Sequence, residues 1–453
     1  MYKVINPFDN STIFEYEYTT QNQVDDSTSL LKEGLEQMSE MTTALKAEVL
    51  YRLADLLRSN KKELAQLITN EMGKVITESL VEIDRSITTV ICAADTIKTM
   101  TEEVLDSDAY GSKRDKMGIV KRFPMGIILA VTPFNFPINL SVHKIAPAFA
   151  AGNTVLFKPG PQNYLSAKRL VELCYEAGMA KSYLQLICPD IPVLSKLISS
   201  KNIQCISFTG GTQTAKKIAE NCGIKKLIFE LGGNDPLIIM PDADLDKASD
   251  TAINNRFGSS GQRCTASKRV FVHKDVYTKF KTLLVAKAEK LNIGNPQDSN
   301  TFVGPLVNST AADIVEGRIN DSISKGAKLL LGNKRVGNII YPTILENVSD
   351  DHELVSDETF GPVIPLMSFE VLSELIERVN STEFGLQSGV FTNDLKTIKH
   401  LYAKLDVGAL IVNDGPGFRA EHFPFGGVKN SGLGREGIKY AIDQMSVLKT
   451  LVL

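Results

Sequence analysis

Gly126-Ile127-Ile128-Leu129-Ala130-Val131-Thr132-Pro133-Phe134-Asn135-Phe136-Pro137 is the stretch on which the fold turns. Ile127 to Thr132 is a short, mostly apolar run that reads as a strand buried on both faces, and Pro133 ends it. Thr154 to Lys158, Leu184 to Ile187 and Ile206 to Thr209 read as further strands, with helical stretches such as Leu165 to Ala177 between them. Strands alternating with helices define an α/β domain with a largely parallel sheet. Downstream, a strand from Lys226 to Leu231 ends in Gly232-Gly233. The alternation then restarts with Pro236 to Met240, a helix from Leu245 to Phe257 and a strand from Arg269 to His273. A domain boundary is therefore placed near Leu231, and helix and strand signals continue to Val412. Gly415 to Gly437 is glycine-rich and reads as loop, followed by a last helix and a final apolar strand, Val447 to Leu453. Upstream, Leu30 to Met38, Ala44 to Arg58, Lys61 to Thr69 and Val75 to Met100 carry apolar residues at helical spacing, and Gly118 to Phe123 reads as a strand.

A chain of 453 residues is too long for one ordinary core and implies two or three domains. Its 50 basic and 53 acidic residues leave a net charge of -3, which argues against a nucleic-acid footprint or an anionic-membrane partner. The first residues lack the apolar core of a signal peptide, and no apolar run is long enough to span a bilayer, so a cytoplasmic protein is expected. None of the six cysteines is spaced C-x-x-C or lies near a histidine cluster, so no metal site is expected and the thiols are expected to be reduced.

Four segments carry chemistry. In Gly258-Ser259-Ser260-Gly261-Gln262-Arg263-Cys264-Thr265-Ala266, small residues surround a single cysteine between a helix and a strand. A thiol there can meet a substrate, and Arg263 beside it would help form the thiolate; alone, the segment reads equally as a buried structural cysteine. Phe229-Glu230-Leu231-Gly232-Gly233-Asn234 places a carboxylate at the carboxyl end of a strand, where open α/β sheets bind ligands; it suits a general base or a turn-capping acid. Asn135, braced by Pro133 and Pro137, is a rigid amide that can donate to an oxyanion or bond to its own backbone. Ser207-Phe208-Thr209-Gly210-Gly211-Thr212 runs from strand to helix and lets a diphosphate approach the helix amides, a weak signal alone. Gly432 to Gly437 matches G-x-G-x-x-G, but it follows no apolar strand and reads as loop.

In order and spacing these segments resemble the aldehyde dehydrogenase superfamily. The resemblance takes in Pro133 to Pro137, Lys158-Pro159, Phe208 to Thr212, Glu230 to Gly233, Gly261 to Cys264, Glu358-Thr359-Phe360-Gly361-Pro362 and Phe423-Pro424-Phe425-Gly426-Gly427. It implies an α/β fold with a Rossmann-like NAD(P)-binding domain over 1–105 and 124–230, an α/β catalytic domain over 231–430, and a small β oligomerisation element from 106–123 and 431–453. It further implies Cys264 as nucleophile, Glu230 as the base that activates water, and Asn135 with the Cys264 amide as oxyanion holders. NAD or NADP would be held by Thr132, Pro133, Phe134, Lys158, Gly210, Gly211, Leu231, Glu358 and Phe360. Members that prefer NAD often carry an acid three positions after the lysine of the Lys-Pro motif; here Pro161 stands there, so both cofactors are admitted. A homodimer or homotetramer is expected, with a small aldehyde as partner.

Arg263 directly before the cysteine resembles members acting on small anionic aldehydes, such as non-phosphorylating glyceraldehyde-3-phosphate and phosphonoacetaldehyde dehydrogenases. The C-terminal run resembles lactaldehyde dehydrogenases. Arg263, Thr265, Arg419 and His422 are the candidate substrate contacts, for a short anionic or hydroxylated aldehyde. The alternatives are a succinate-semialdehyde-type enzyme and a CoA-acylating semialdehyde dehydrogenase; retention of Glu230 argues against the latter. Arg263 turned away and paired with an acid is the competing reading of that residue.

Overall fold

The computed structural model describes residues 1–111 and 115–453, so the middle of the expected 106–123 segment lies outside the described residues. Four helices open the chain: α1 (Gln21–Glu40), α2 (Thr43–Ser59), α3 (Lys61–Met72) and α4 (Ile76–Thr99). Their starts are set by short-range chemistry. Thr20 and Gln23 form a reciprocal capping box on α1, and the Thr42 hydroxyl accepts from Leu45 N on α2. The stretch from Val75 to Met100 forms one continuous helix, because Ile83, Ile87, Val90 and Ala94 keep one face in the core throughout.

The first sheet has six strands in the order Gly432–Leu433, Lys226–Glu230, Cys205–Thr209, Ile127–Val131, Thr154–Lys158, Leu184–Leu186. The five long-sequence neighbours run parallel, and the register sets Val131 against Lys158 and Thr209 against Glu230. All the strand-end segments singled out above therefore emerge along one edge of the sheet. Helices α5 (Asn139–Ala150), α6 (Tyr164–Ala177), α7 (Ile191–Ser199) and α8 (Thr212–Asn221) connect the strands. One expectation is corrected here. Gly432–Leu433, read as loop, is a two-residue strand that pairs antiparallel with Phe229 and Glu230. Two residues give no periodicity to detect, and the pairing is held by a long-range partner.

The second sheet has seven strands in the order Lys328–Leu331, Thr343–Glu346, Val363–Phe369, Arg269–His273, Pro236–Ile239, Gln387–Phe391, Ala409–Val412, with only the first antiparallel to its neighbour. Helix α9 (Leu245–Phe257) packs on it and leads into the Cys264 loop. That loop and the Glu358–Pro362 segment precede the strands Arg269–His273 and Val363–Phe369. The amino ends of the second sheet thus face the carboxyl ends of the first. A third sheet, Ser446–Val452, Met117–Pro124 and Glu103–Asp106, is antiparallel and carries exposed apolar side chains on Val104, Leu105, Leu448 and Leu451. Among the described residues no helix is long and apolar enough to cross a membrane.

Candidate active site

A cavity of about 650 Å³ lies where the two sheets meet. Asn135, Cys264 and Thr265 line it, together with Pro133 and Phe134 from the first sheet. Gly210, Gly211 and Leu231 line it from the neighbouring strand ends, and Glu358 and Phe360 from the second sheet. Arg263 and Arg419 also reach it. Thr132, Lys158 and Glu230 lie near this edge but do not line the cavity. His422 does not line it either: it is exposed, with its ring 4.7 Å from that of Phe423. The sequence places His422 in the right loop, but loop membership does not fix the direction of a side chain.

The cysteine loop is unusually shaped. Ser259 and Ser260 adopt left-handed backbone angles (φ 50° and 55°), a conformation that costs non-glycine residues on the order of 1 kcal/mol or more and persists only where neighbours hold it. The holds are visible: the Ser259 hydroxyl donates to Glu78 and the Ser260 hydroxyl donates to Gly304 O at 2.9 Å. Asn135 is fixed from the opposite side, its Nδ2 donating to Gln262 O at 2.9 Å. An amide has two N–H groups, so the second is available to the cavity. Lys74 secures the Asn135 turn by donating to Asn135 O at 3.0 Å, and Lys74 in turn pairs with fully buried Glu82 at 2.6 Å.

Burial pushes the Cys264 thiol up to about 12, with Lys268 and Arg419 pulling in the opposite direction. The favourable charges are therefore not the one the sequence pointed to. Arg263 donates through Nη2 to Glu78 at 2.6 Å and is not among the charges that favour the thiolate. Lys268, invisible as a site residue in the sequence, is almost wholly buried and makes two hydrogen bonds and one ion pair. It donates to Arg263 O at 2.9 Å and to Cys264 O, and pairs with Glu358 at 3.1 Å.

Glu230 is buried, and neither carboxylate oxygen has a partner among the described residues. Burial first, then the neighbouring Glu436, raises its pKa well above the usual carboxylate range. It lies against Gly426, where a methyl group would come within 2.7 Å of Oε1. The Gly232-Gly233 pair is explained by close approach: a Cβ on Gly232 would sit 2.2 Å from Glu358 Oε2, and one on Gly233 2.7 Å from Cys264 O.

The cofactor side also fits its expected occupant. Gly211 caps α8 without a side-chain hydrogen bond, and no heavy atom lies within 4 Å of where its Cβ would be, so a ligand can approach the backbone closely at this helix start. Lys158 Nζ makes no hydrogen bond or ion pair among the described residues, and burial lowers its pKa. Glu358 accepts from Gly233 N at 3.1 Å at the opposite end. Among the described residues no group of three or more His, Cys, Asp or Glu side chains is arranged to hold a metal.

Behind the cavity lies a buried charge network that the sequence did not show. Lys144 pairs with Glu436 at 2.9 Å, Arg419 with Glu436 at 3.1 Å, and Arg85 with Glu421 at 3.0 Å, while His143 contacts Glu421 at 2.7 Å. Its members come from α4, α5 and the C-terminal loop, so only tertiary structure assembles them. Arg85 lines the cavity beside Arg263 and Arg419.

Over residues 1–451 the chain matches the model of the aldehyde dehydrogenase family, and it belongs to that family. By fold and relationship it is an aldehyde dehydrogenase. It is 53% identical to a sulfoacetaldehyde dehydrogenase of Neptuniibacter caesariensis, over 100% of this chain and 99% of that protein. It is 37% identical to a 3-sulfolactaldehyde dehydrogenase of Priestia aryabhattai, over 100% and 94% respectively. Among solved structures, it is similar to glyceraldehyde-3-phosphate dehydrogenase GapN of Methanocaldococcus jannaschii complexed with NADP, with TM-score 0.96, 37% identity and coverage of 100% and 98%.

Proposed function

We propose that this protein oxidises a short anionic aldehyde to its carboxylic acid, with Cys264 as nucleophile. The observation that carries the reading is the convergence of Arg85, Arg263 and Arg419 on the cavity that also receives Cys264. Guanidinium groups suit a sulfonate, phosphonate or carboxylate end. The relatives named for sulfonated aldehydes support the same class.

In this reading the Cys264 sulfur attacks the aldehyde carbon, and the thiol proton leaves as the C–S bond forms. The charges of Lys268 and Arg419 favour that loss. The free Asn135 N–H and the Cys264 amide receive the developing oxyanion, and the bond from Asn135 to Gln262 O keeps the donor in place beforehand. NAD or NADP, which Lys158, Glu358 and the Gly210-Gly211 turn would hold, would supply the acceptor for the hydride lost from the former aldehyde carbon, and Cys264 would then carry an acyl thioester. Glu230 then turns from Gly426 towards the cavity and takes a proton from the water that attacks the thioester. Burial makes it more basic than an ordinary carboxylate, which suits a group that takes a proton from water.

Cofactor contacts are assigned to Lys158, Glu358, the Gly210-Gly211 turn and the ring of Phe360, and Arg263 and Arg419 are assigned to the substrate. The three-stranded sheet with its exposed Val104, Leu105, Leu448 and Leu451 is assigned to a homo-oligomer interface, which light scattering on the purified protein tests. The functional reading is tested by kcat/KM for sulfoacetaldehyde, phosphonoacetaldehyde, succinate semialdehyde and lactaldehyde, with NAD and NADP, with and without CoA. CoA-independent preference for the charged aldehydes is the expected result. Preference for lactaldehyde removes the anion role of the arginines, and strict CoA dependence contradicts the role of Glu230.

A further inference from the structure

The cavity's arginines are not bare charges. Glu78, Glu82 and Arg85 stand at positions i, i+4 and i+7 of α4, which places them on one helix face, and all three line the cavity. Each arginine already has a carboxylate: Arg263 has Glu78 at 2.6 Å, Arg85 has Glu421 at 3.0 Å, and Arg419 has Glu436 at 3.1 Å. Lys74 is matched by Glu82 at 2.6 Å. With Lys144 sharing Glu436, the cavity's arginines and the ion pairs joined to this end of the cavity comprise five cationic side chains against four carboxylates, of which Arg85, Arg263, Arg419, Glu78 and Glu82 line the cavity itself. Burial and the neighbouring Arg419 lower the His143 pKa, so the imidazole adds no charge to this set, and Glu230 does not line the cavity. One positive charge is left over.

Glu78 is the member of this set whose place is most deliberately built. It lies in the first turn of α4, where the helix dipole favours a negative charge. Ser259 donates to one of its oxygens and Arg263 to the other. Position 258 is glycine, and a Cβ there would come within 2.8 Å of Glu78 Oε1 and 2.9 Å of Arg263 Nη2, so the backbone has been cleared for the pair. Arg263 Nε, meanwhile, is buried and has no partner among the described residues. Among the described residues only Nη2 of the guanidinium is bonded, to Glu78 and to Ser259, so most of its five donors are not committed to this pair.

We infer that Glu78 is a specificity-determining residue that matches the cavity to a substrate carrying one permanent negative charge, a sulfonate, and disfavours the doubly charged form of the equivalent phosphonate or phosphate. The inference rests on the anionic-aldehyde reading above and refines it. A sulfonate meets the guanidinium groups of Arg85, Arg263 and Arg419 while Glu78 stays on Arg263. A dianion of the same shape brings a second charge to the neighbourhood of the Glu78 carboxylate, with only one net positive charge to meet it. Groups facing Glu78 are Arg263 and Ser259 of the cysteine loop, Lys74 from the turn before α4, and Glu82 of α4 itself.

The test compares sulfoacetaldehyde with phosphonoacetaldehyde, which have the same carbon skeleton, and uses propanal as a neutral reference. The sulfonate keeps one charge at every pH used, whereas a phosphoryl group gains its second charge as pH rises through the range near 6 to 7. In the wild-type protein kcat/KM for phosphonoacetaldehyde, divided by that for sulfoacetaldehyde, is expected to fall between pH 6 and pH 8.5. One extra charge contact at roughly 6 Å in an effective dielectric of about 40 corresponds to a fall of about tenfold. Glu78→Gln is expected to flatten that profile and raise the phosphonate ratio by a similar factor, whereas Glu78→Asp keeps the discrimination. Activity with propanal reports that each variant is folded and competent. A wild-type ratio that does not fall with pH, or one that falls identically in Glu78→Gln, overturns the inference while leaving the anionic reading intact. Turnover of propanal in preference to both anions overturns the anionic reading and the inference with it.

Discussion

Replacing Lys268 by methionine removes a cation while keeping most of the volume, and the structure says what is lost. The ammonium donates to Arg263 O and Cys264 O and pairs with Glu358 Oε1, with the side chain 1% exposed. Two carbonyls at the base of the nucleophile loop lose their donor, and Glu358, 19% exposed, loses its cation. Removing one member of a buried pair costs 3–5 kcal/mol in general, and the partial exposure of Glu358 puts this case near the lower end, about 3 kcal/mol. The second consequence is electrostatic. Lys268 is the foremost of the charges that offset the burial of the Cys264 thiol. A cation roughly 6 Å away in an effective dielectric of about 40 is worth about one pKa unit, or tenfold in thiolate at fixed pH. The assay is carboxamidomethylation of Cys264 by iodoacetamide, followed by peptide mass spectrometry between pH 7 and pH 10, with urea unfolding measured alongside. Lys268→Met is expected to react about tenfold more slowly at each pH and to unfold at lower urea. An unchanged alkylation profile, whatever the change in stability, refutes the electrostatic part of the reasoning; an unchanged unfolding midpoint refutes the structural part.

Three further outcomes follow from the same geometry. Asn135→Ala removes the donor anchored on Gln262 O and is expected to lower kcat by about 10²–10³-fold with the fold intact, measured by steady-state kinetics and circular dichroism. Gly233→Ala puts a methyl group where Cys264 O lies 2.7 Å away, so it is expected to displace the nucleophile loop and to slow turnover with every aldehyde alike, which a substrate panel checks. Burial raises the Glu421 carboxyl, but the bond from His143 and the charges of Arg85 and Arg419 outweigh it and hold it at about 2, against an ordinary value of 4.5. A depressed pKa contributes stability that is complete above the unfolded value and is lost as pH falls towards the folded one. Glu421→Gln is therefore expected to cost up to about 3 kcal/mol at neutral pH and about 1 kcal/mol near pH 3. Urea titrations of both proteins at the two pH values measure it, and a gap that stays constant with pH contradicts the assignment.

What the sequence made legible follows a physical division. The buried parallel strands were readable because their apolar runs are short and end in proline or glycine: Ile127–Val131, Thr154–Lys158 and Arg269–His273 appear where the pattern put them. Helix Leu245–Phe257 likewise matches its periodic stretch. The strand-end residues Asn135, Gly210 and Leu231 were readable as a group because parallel strands deliver their carboxyl ends to one edge. Residues whose meaning is a partner far along the chain were not readable. Glu78 is one more acid on an amphipathic helix until Arg263 meets it from 185 positions away, and Lys268 is a lysine before a strand until Glu358 closes on it. Arg263 itself shows both sides of this limit: its residue type and place pointed to the cavity, which it lines, while its pairing with Glu78 was the competing reading, and both are present. The direction of His422 could not be inferred, because nothing in a glycine-rich loop fixes which way a side chain turns.

In the proposed mechanism Cys264 carries the acyl group and Glu230 releases it. The most direct measurement is to mix Glu230→Gln protein with sulfoacetaldehyde and NAD or NADP, quench in acid, and map the peptides by mass spectrometry. The account predicts a burst of about one reduced cofactor per site and an acyl mass on the Cys264 peptide. A burst with Cys264 unmodified, or full steady-state turnover by the Glu230→Gln protein, would contradict it.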